Sequence, residues 1–270
     1  MEIIHLSDLH YGSAEFKEKC FENIIEYIAG YKSKIDLVII TGDITDHGRY
    51  EEYEGIKRYI DRIPTEKLIV PGNHDISKNG AGKINYETFF GSTTTTNISK
   101  KSNCLALGIC SAKDGIAISE IGDQQLRYIA EQYLNNSEKR KILALHHHLI
   151  AVPYSSKSLN IPIDAGEVLE ILRMFEIELV LMGHRHVPHV WTLNGTTFLY
   201  CGTSTSGKVR ANEPPCFNHI YMDDFELEVD IVDSYSLNKQ PLLRRTPKDV
   251  NFIKYRKARI EYLLHAKILG

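Results

Sequence analysis

Long apolar runs are missing from this 270-residue sequence: no stretch approaches the roughly 18 residues needed to cross a bilayer, which argues against a membrane-spanning helix. The first residues, Met-Glu-Ile-Ile-His-Leu-Ser-Asp, read as a strand and lack the basic and apolar regions of an export leader. Cysteine is sparse and its spacing shows no pairs. Cys20, Cys104, Cys110, Cys201 and Cys216 are scattered, and an odd count without an export signal favours reduced thiols over a disulfide framework. Internal repeats, low-complexity linkers and any compositional domain boundary are absent too. At 43% hydrophobic and 25% charged residues, neither disorder nor a collagen-like bias applies. Together these absences predict a soluble cytoplasmic protein, long enough for one domain with a substantial core.

The net charge of −3 is unevenly spread. Arg244 to Lys267 holds eight basic residues and two acidic ones, so the rest of the chain is more acidic than the total suggests. Such a run is commonly the solvated face of a helix, although it could also meet an anionic partner.

The first two thirds alternate short apolar runs with amphipathic stretches. Strands are predicted at 3–6, 37–41, 67–70, 104–110, 141–145 and 178–182. Helical spacing appears through Phe16, Cys20, Ile24 and Ile28, through Tyr53, Ile56, Ile60 and Ile63, and after Gly122 with Leu126, Ile129 and Tyr133 inward. Asp164 and Glu167 resemble a capping box opening a further helix through Phe175. Asn194-Gly195 between two strand-like runs is a two-residue hairpin signal. Residues 217–222 and 225–232 alternate like antiparallel strands, and the Thr93–Thr96 run reads as a surface loop. Beyond about residue 250, Ile253, Ile260, Leu264 and Ile268 form a helical stripe. Alternating strands and helices followed by antiparallel strands predict an α/β (α+β) fold of two packed mixed sheets with helices outside.

Five short motifs fall at or just after strand ends, where α/β proteins place their sites. In Asp8-Leu9-His10, side chains two apart on an extended segment point the same way, so a carboxylate and an imidazole can share one metal. Asp43, after Gly42, can bridge two cations with its two oxygens. Asn73 offers a neutral oxygen, and the next side chain, His74, is displaced from the metal toward substrate. His146-His147-His148 caps one strand, and Gly183-His184-Arg185-His186 closes another with two imidazoles on one face. Each motif alone could be a turn or a surface cluster. All five in one chain, offering carboxylates, an amide and imidazoles, argue for a metal centre.

In that order the motifs resemble the calcineurin-like metallophosphoesterase superfamily, whose pattern DxH…GD…GNHD…H…GHxH is met without a gap over about residues 1 to 222. The resemblance implies a four-layer sandwich, two mixed sheets flanked by helices, with a binuclear centre at their edge. It implies that Asp8, His10 and His186 bind one metal and Asn73, His147 and His184 the other, with Asp43 bridging. Leu149 stands where relatives commonly carry a proline, so His147 is the best match in the fourth motif and His146 the alternative. His74 is implied as the outer residue that stabilises the phosphate or protonates the leaving oxygen. Residues 1–245 then read as the metallophosphoesterase domain. Residues 246–270 read as a basic helical tail, part of the same domain or a contact in a homo-oligomer.

Mixed nitrogen and oxygen donors suit two divalent ions of manganese, iron or zinc. A hydroxide bridging them would attack the phosphorus. The chain is similar in more detail to class III cyclic nucleotide phosphodiesterases, through His-Leu-Ser-Asp-Leu-His at 5–10, Gly-Asp-Ile-Thr-Asp-His-Gly at 42–48 with Glu52-Tyr53 after it, and Cys-Gly-Thr-Ser-Thr-Ser-Gly at 201–207. That points to a small phosphodiester such as a 3′,5′-cyclic nucleotide. A DNA nuclease shares the same motifs but is less favoured, because the chain is acidic before its tail and shows no nucleic-acid module. A non-catalytic scaffold of this fold would be expected to lack ligands that are all present here.

Overall fold

The computed structural model describes residues 1–31, 33–76, 80–99, 102–114, 118–153, 155, 160–210 and 213–245. The tail at 246–270, with its expected helix, lies outside them.

The chain opens with β1 (Glu2–Leu6), and α1 (Glu18–Gly30) then buries Phe21, Ile24, Ile25 and Ile28 on one face. β2 (Ile35–Thr41), α2 (Tyr50–Ile60), β3 (Lys67–Val70), the short turn α3 (Asn73–Ile76) and α4 (Ala81–Phe90) follow. Next come β4 (Thr95–Ser99), β5 (Cys104–Gly108), α5 (Asp123–Asn135), β6 (Arg140–Ala144), α6 (Ala165–Met174) and β7 (Leu179–Met182). The chain then runs through β8 (His189–Leu193), β9 (Thr196–Tyr200), β10 (Cys216–Met222), β11 (Leu227–Asp233) and β12 (Lys239–Arg245). One sheet has the order β12-β11-β10-β1-β2-β3 and the other β4-β5-β6-β7-β9-β8. Both are mixed. β1, β2 and β3 run parallel in the first, as do β5, β6, β7 and β9 in the second.

Strand alternation sorts the apolar side chains into three cores. Ile3, Leu37, Ile39, Leu68, Ile142, Ala144, Leu179 and Leu181 fill the space between the sheets. Ile4, Leu6, Val38 and Ile40 turn the other way onto α1, α2 and α4. Leu143, Leu145 and Val180 turn onto α5 and α6. The result is four layers, helices, sheet, sheet, helices, as the sequence predicts. Each buried Leu or Ile contributes on the order of 1.5–3 kcal/mol.

Three expectations are corrected. The threonine run does not form a loop throughout: Thr95–Ser99 is an edge strand, β4, paired antiparallel with β5. Its half-exposed β-branched residues suit an edge, where one face stays wet. Asp164 opens α6 without capping it; its carboxylate instead accepts from the Ile121 and Gly122 backbone N–H groups, tying down the loop before α5. Arg244 and Arg245, the first basic residues of the expected solvated helix face, lie on β12, where Arg244 pairs with Asp230 and Arg245 donates to Thr197 Oγ1.

Candidate metal centre

The parallel strands β1, β2 and β3 of one sheet and β6 and β7 of the other end on the same side of the molecule, and the five motifs leave from those ends. Their loops are sharply turned. Of the nine non-glycine residues with positive φ among the described residues, five are Asp8, His10, Asp43, His184 and His186. Backbone strain of this kind clusters at functional sites and costs on the order of 1–3 kcal/mol per residue. Glycine permits the closest approaches. A Cβ on Gly183 would lie 1.8 Å from Ser7 Oγ, and one on Gly72 would lie 2.2 Å from Asp43 Oδ1.

The loops are tied to one another by buried hydrogen bonds. Asp75 accepts from the Gly72, Ile44 and Thr45 backbone N–H groups and from Thr45 Oγ1, joining the second motif to the third. Tyr53 donates to the Asp75 carbonyl, and Glu52 accepts from the His47 backbone, so the first turns of α2 brace both loops. After β9, Thr203 Oγ1 donates to the Asp8 carbonyl at 2.6 Å and Thr205 Oγ1 to the Leu9 carbonyl at 2.8 Å. The Thr-Ser-Thr run therefore holds the first motif in its strained turn.

Six of the seven expected ligands converge: Asp8, His10, Asp43, Asn73, His184 and His186. On one side, Asp8 Oδ1 lies 3.1 Å from His186 Nε2 and 4.0 Å from His10 Nε2. On the other, His146 Nε2 lies 3.1 Å from Asn73 Oδ1, 3.2 Å from His184 Nδ1 and 3.3 Å from Asp43 Oδ2. Asp43 Oδ2 is also 3.9 Å from His10 Nε2, so it lies between the two groups.

In the histidine triplet the residue that touches Asn73 and Asp43 is His146, the alternative ligand, while the expected His147 lies behind it beside His184. His147 turns its Nδ1 to Ser111 Oγ at 2.9 Å, although its ring still lies 4.6 Å from that of His184. Strand register gives the reason. Ile142 and Ala144 face the seam between the sheets, Leu143 and Leu145 face the helices, and the alternation carried one step further sends His146 to the seam.

His74 stands just outside. Its backbone N–H donates to Asp43 Oδ1 at 2.9 Å, its Nδ1 bonds the Asp46 carbonyl at 2.8 Å, and its ring lines a cavity of about 320 Å³ shared with His10, Asp43 and Asn73. Three residues with no assigned role in the sequence complete the frame. Asp46 Oδ1 holds His10 Nδ1 at 3.0 Å, Lys208 pairs with the same oxygen, and the Lys208 carbonyl accepts from His186 Nδ1. Asn160 sits 3.1 Å from His184 Nε2. Asp46 falls inside the Gly-Asp-Ile-Thr-Asp-His-Gly motif and Lys208 directly follows the Cys-Gly-Thr-Ser-Thr-Ser-Gly motif, which is the signal that could have found them.

Burial works to raise the Asp8 and Asp43 carboxyls, but the neighbouring imidazoles, His186 for Asp8 and His146 for Asp43, outweigh it and keep both below the usual carboxylate range. Burial pulls the other way on His146, yet Asp43 prevails and lifts it to about 9. His10 is pushed down to about 4 chiefly by burial.

These residues fit a cation. Asp8 Oδ1 is fully buried, and the donor atoms beside it are ring nitrogens, His186 Nε2 at 3.1 Å and His10 Nε2 at 4.0 Å. His10 and His186 have their Nδ1 atoms engaged from behind, which aims the Nε2 lone pairs inward. Asp8 with His10 and His186, Asp8 with Asp43 and His146, and His146 with His147 and His184 are each grouped closely enough to hold a metal. The donors are nitrogen and oxygen, as a divalent ion of intermediate hardness requires.

A family model described as calcineurin-like phosphoesterase matches residues 1–188. A probable glycerophosphodiester phosphodiesterase, GpdQ, of Arcobacter nitrofigilis is 26% identical over 196 residues, 69% of this chain and 72% of that protein. A probable cyclic nucleotide phosphodiesterase of Xenorhabdus bovienii is 24% identical over 211 residues, 73% of this chain and 83% of that protein. Among solved structures, purple acid phosphatase PPD1 from yellow lupin seeds superposes with a TM-score of 0.68 at 12% identity, over 89% of this chain and 52% of that one. This chain thus matches about half of that enzyme's length. GAP50 of Plasmodium superposes with a TM-score of 0.66 at 13% identity, over 98% of this chain and 94% of that one. At such identities the structural likeness speaks to the fold alone.

Proposed function

Because the chain belongs to the calcineurin-like phosphoesterase family, we propose that it hydrolyses phosphodiesters at a centre of two divalent metal ions, with 3′,5′-cyclic nucleotides as the substrates. The observation that carries this reading is the position of Asp43 Oδ2 between two donor sets, 3.3 Å from His146 Nε2 and 3.9 Å from His10 Nε2. Asp8, His10 and His186 would hold one ion, and Asn73, His146 and His184 the other, with Asp43 shared. Bound divalent ions supply Lewis acidity toward phosphoryl oxygens and a coordinated water with a pKa near about 7, a nucleophile at neutral pH. Manganese, iron or zinc would suit the donors.

The chain's own residues do the rest. Asp46 and the Lys208 carbonyl fix the ring orientations of His10 and His186. His74, anchored by its backbone to Asp43 and by Nδ1 to Asp46, lines the cavity where it can stabilise the phosphoryl group or protonate the leaving oxygen. The names of the relatives support a diester substrate, and the Xenorhabdus relative favours the cyclic class. No helix among the described residues is long and apolar enough to cross a membrane, and a reducing compartment such as the cytoplasm suits five free thiols.

The test is a substrate panel of cyclic nucleotides, glycerophosphodiesters, phosphomonoesters and single-stranded DNA, run with elemental analysis of the purified protein. The expected result is about two transition-metal ions per chain and the highest kcat/KM on a cyclic nucleotide. A higher value on glycerophosphodiesters would move the substrate to linear diesters, and one on DNA would make the protein a nuclease. Protein without bound metal, inert on bis(p-nitrophenyl) phosphate with added manganese, would mark a scaffold.

A further inference from the structure

Lys208 reaches the centre twice, through two different atoms. Its carbonyl accepts a hydrogen bond from His186 Nδ1–H, while its ammonium pairs with Asp46 Oδ1. That same carboxylate oxygen lies 3.0 Å from His10 Nδ1 and 3.8 Å from His74 Nδ1. Asp46 therefore stands between a ring of the metal cluster, the outer His74 and a lysine. The two ends of the ion pair differ in access. The Asp46 side chain is 11% exposed and that of Lys208 33%, so the ammonium is the end that faces solvent. Lys208 lines the same cavity of about 320 Å³ as His10, Asn73 and His74.

An ammonium carries three donors, and Asp46 is the only side-chain partner of Lys208 Nζ among the described residues. Neutralising Asp46 needs only the charge. A donor on a residue that lines the cavity beside His10, Asn73 and His74 can do something more. Lysine is a compact point charge that suits phosphate oxygens, and a cation in a cleft raises the local concentration of an anionic ligand.

We propose that Lys208 recognises the anionic phosphoryl group of the substrate, donating from Nζ to a phosphoryl oxygen while Asp46 holds the side chain beside His74. This rests on the phosphodiesterase reading above. It makes Lys208 and His74 two arms set on one residue, Lys208 on the Asp46 carboxylate and His74 on the Asp46 backbone carbonyl, with the metal ligands as the floor of the cavity.

Lys208→Met tests it, because the substitution removes the ammonium and leaves the carbonyl that orients His186. Wild type, Lys208→Met and Lys208→Arg are loaded with manganese and compared in three measurements: metal per chain, kinetics on bis(p-nitrophenyl) phosphate, and calorimetric binding of inorganic phosphate. The proposal expects unchanged metal content in Lys208→Met, a KM raised roughly 10- to 100-fold, the size of one hydrogen bond to a charged group, and a similar loss of phosphate affinity. Lys208→Arg is expected to recover most of both. Unchanged KM and phosphate affinity would overturn it, as would a fall in metal content, which would make Lys208 only a prop for His10. Failure of the phosphodiesterase reading looks different: the wild type binds metal and does not turn over the diester. Phosphate binding by wild type and Lys208→Met then still decides the role of the ammonium.

Discussion

His10 Nε2 and His186 Nε2 lie 3.1 Å apart, with the His10 ring held at Nδ1 by Asp46 and the His186 ring by the Lys208 carbonyl. With both Nδ1 atoms donating, two lone pairs would face each other across that gap, and only a proton or a cation at that point relieves the repulsion. Asp8 Oδ1, 3.1 Å from His186 Nε2, supplies the negative charge that draws either one in.

Protons and metal ions therefore compete for the same atoms. Burial lowers the His146 and His186 affinities for a proton, but Asp43 and Asp8 respectively outweigh it, lifting His146 to about 9 and His186 above its ordinary value. At pH 7 an arriving cation has to displace the proton on His146. Calorimetry on demetallated protein in two buffers of different ionisation enthalpy should show at least about one proton released per chain. Apparent affinity should rise about tenfold per pH unit per proton as pH climbs toward 9. Metal uptake without proton release would contradict the charge arrangement.

His146→Ala and His147→Ala separate the two neighbours. Replacing groups that only orient a ligand costs about 10- to 100-fold in metal affinity or activity, and loss of a ligand costs at least as much. His146→Ala should lose metal and at least about a hundredfold in turnover. His147→Ala, which removes the ring's contact to Ser111 and leaves the backbone one, should keep its metal. The reverse pattern in elemental analysis would restore His147 to the ligand set.

His74→Ala should retain metal while turnover falls roughly 10²- to 10⁴-fold, the range for a general acid or base. The ring bonds the Asp46 carbonyl through Nδ1 and stands edge-on to His10, and the backbone bond of His74 to Asp43 survives the substitution. Metal lost together with activity would make His74 a ligand.

His5 offers a prediction about stability. It is buried between the sheets, bonded to Thr41 Oγ1 and Asn218, and burial pushes it down to about 3 despite the pull of Asp8. Its folded pKa lies below its unfolded one, so its contribution is complete above about 6.5 and is lost as pH falls from there toward 3. The loss approaches about 1.4 kcal/mol per pH unit for one proton. His5→Gln cannot titrate, and urea unfolding between pH 7 and 4 should show a shallower acid decline than wild type. Parallel declines would contradict the assignment.

Much of this architecture can be read directly from residue types. The buried runs at β1, β2, β6 and β7 stand out because parallel strands are apolar on both faces, and Asn194-Gly195 marks its hairpin, with φ of 48° and 88° in the turn. The edges are harder. β4 is half exposed and threonine-rich, while β12 carries Pro241 opposite an irregular register at Val229 and Asp230, so neither shows clean alternation. In the centre, Asp8, Asp43 and the Gly183–His186 motif are visible because few other roles combine those side chains. Whether His146 or His147 faces inward depends on which side of β6 meets the other sheet, which is long-range information. The link between Lys208 and Asp46 spans 162 residues and leaves no local trace.

Anomalous diffraction from a crystal of the manganese-loaded protein tests the centre most directly. Two peaks are expected, one among Asp8, His10 and His186 and one among Asn73, His146 and His184, with Asp43 reaching both. A single peak, or none at these side chains in protein that elemental analysis shows to be loaded, would contradict a two-metal phosphodiesterase.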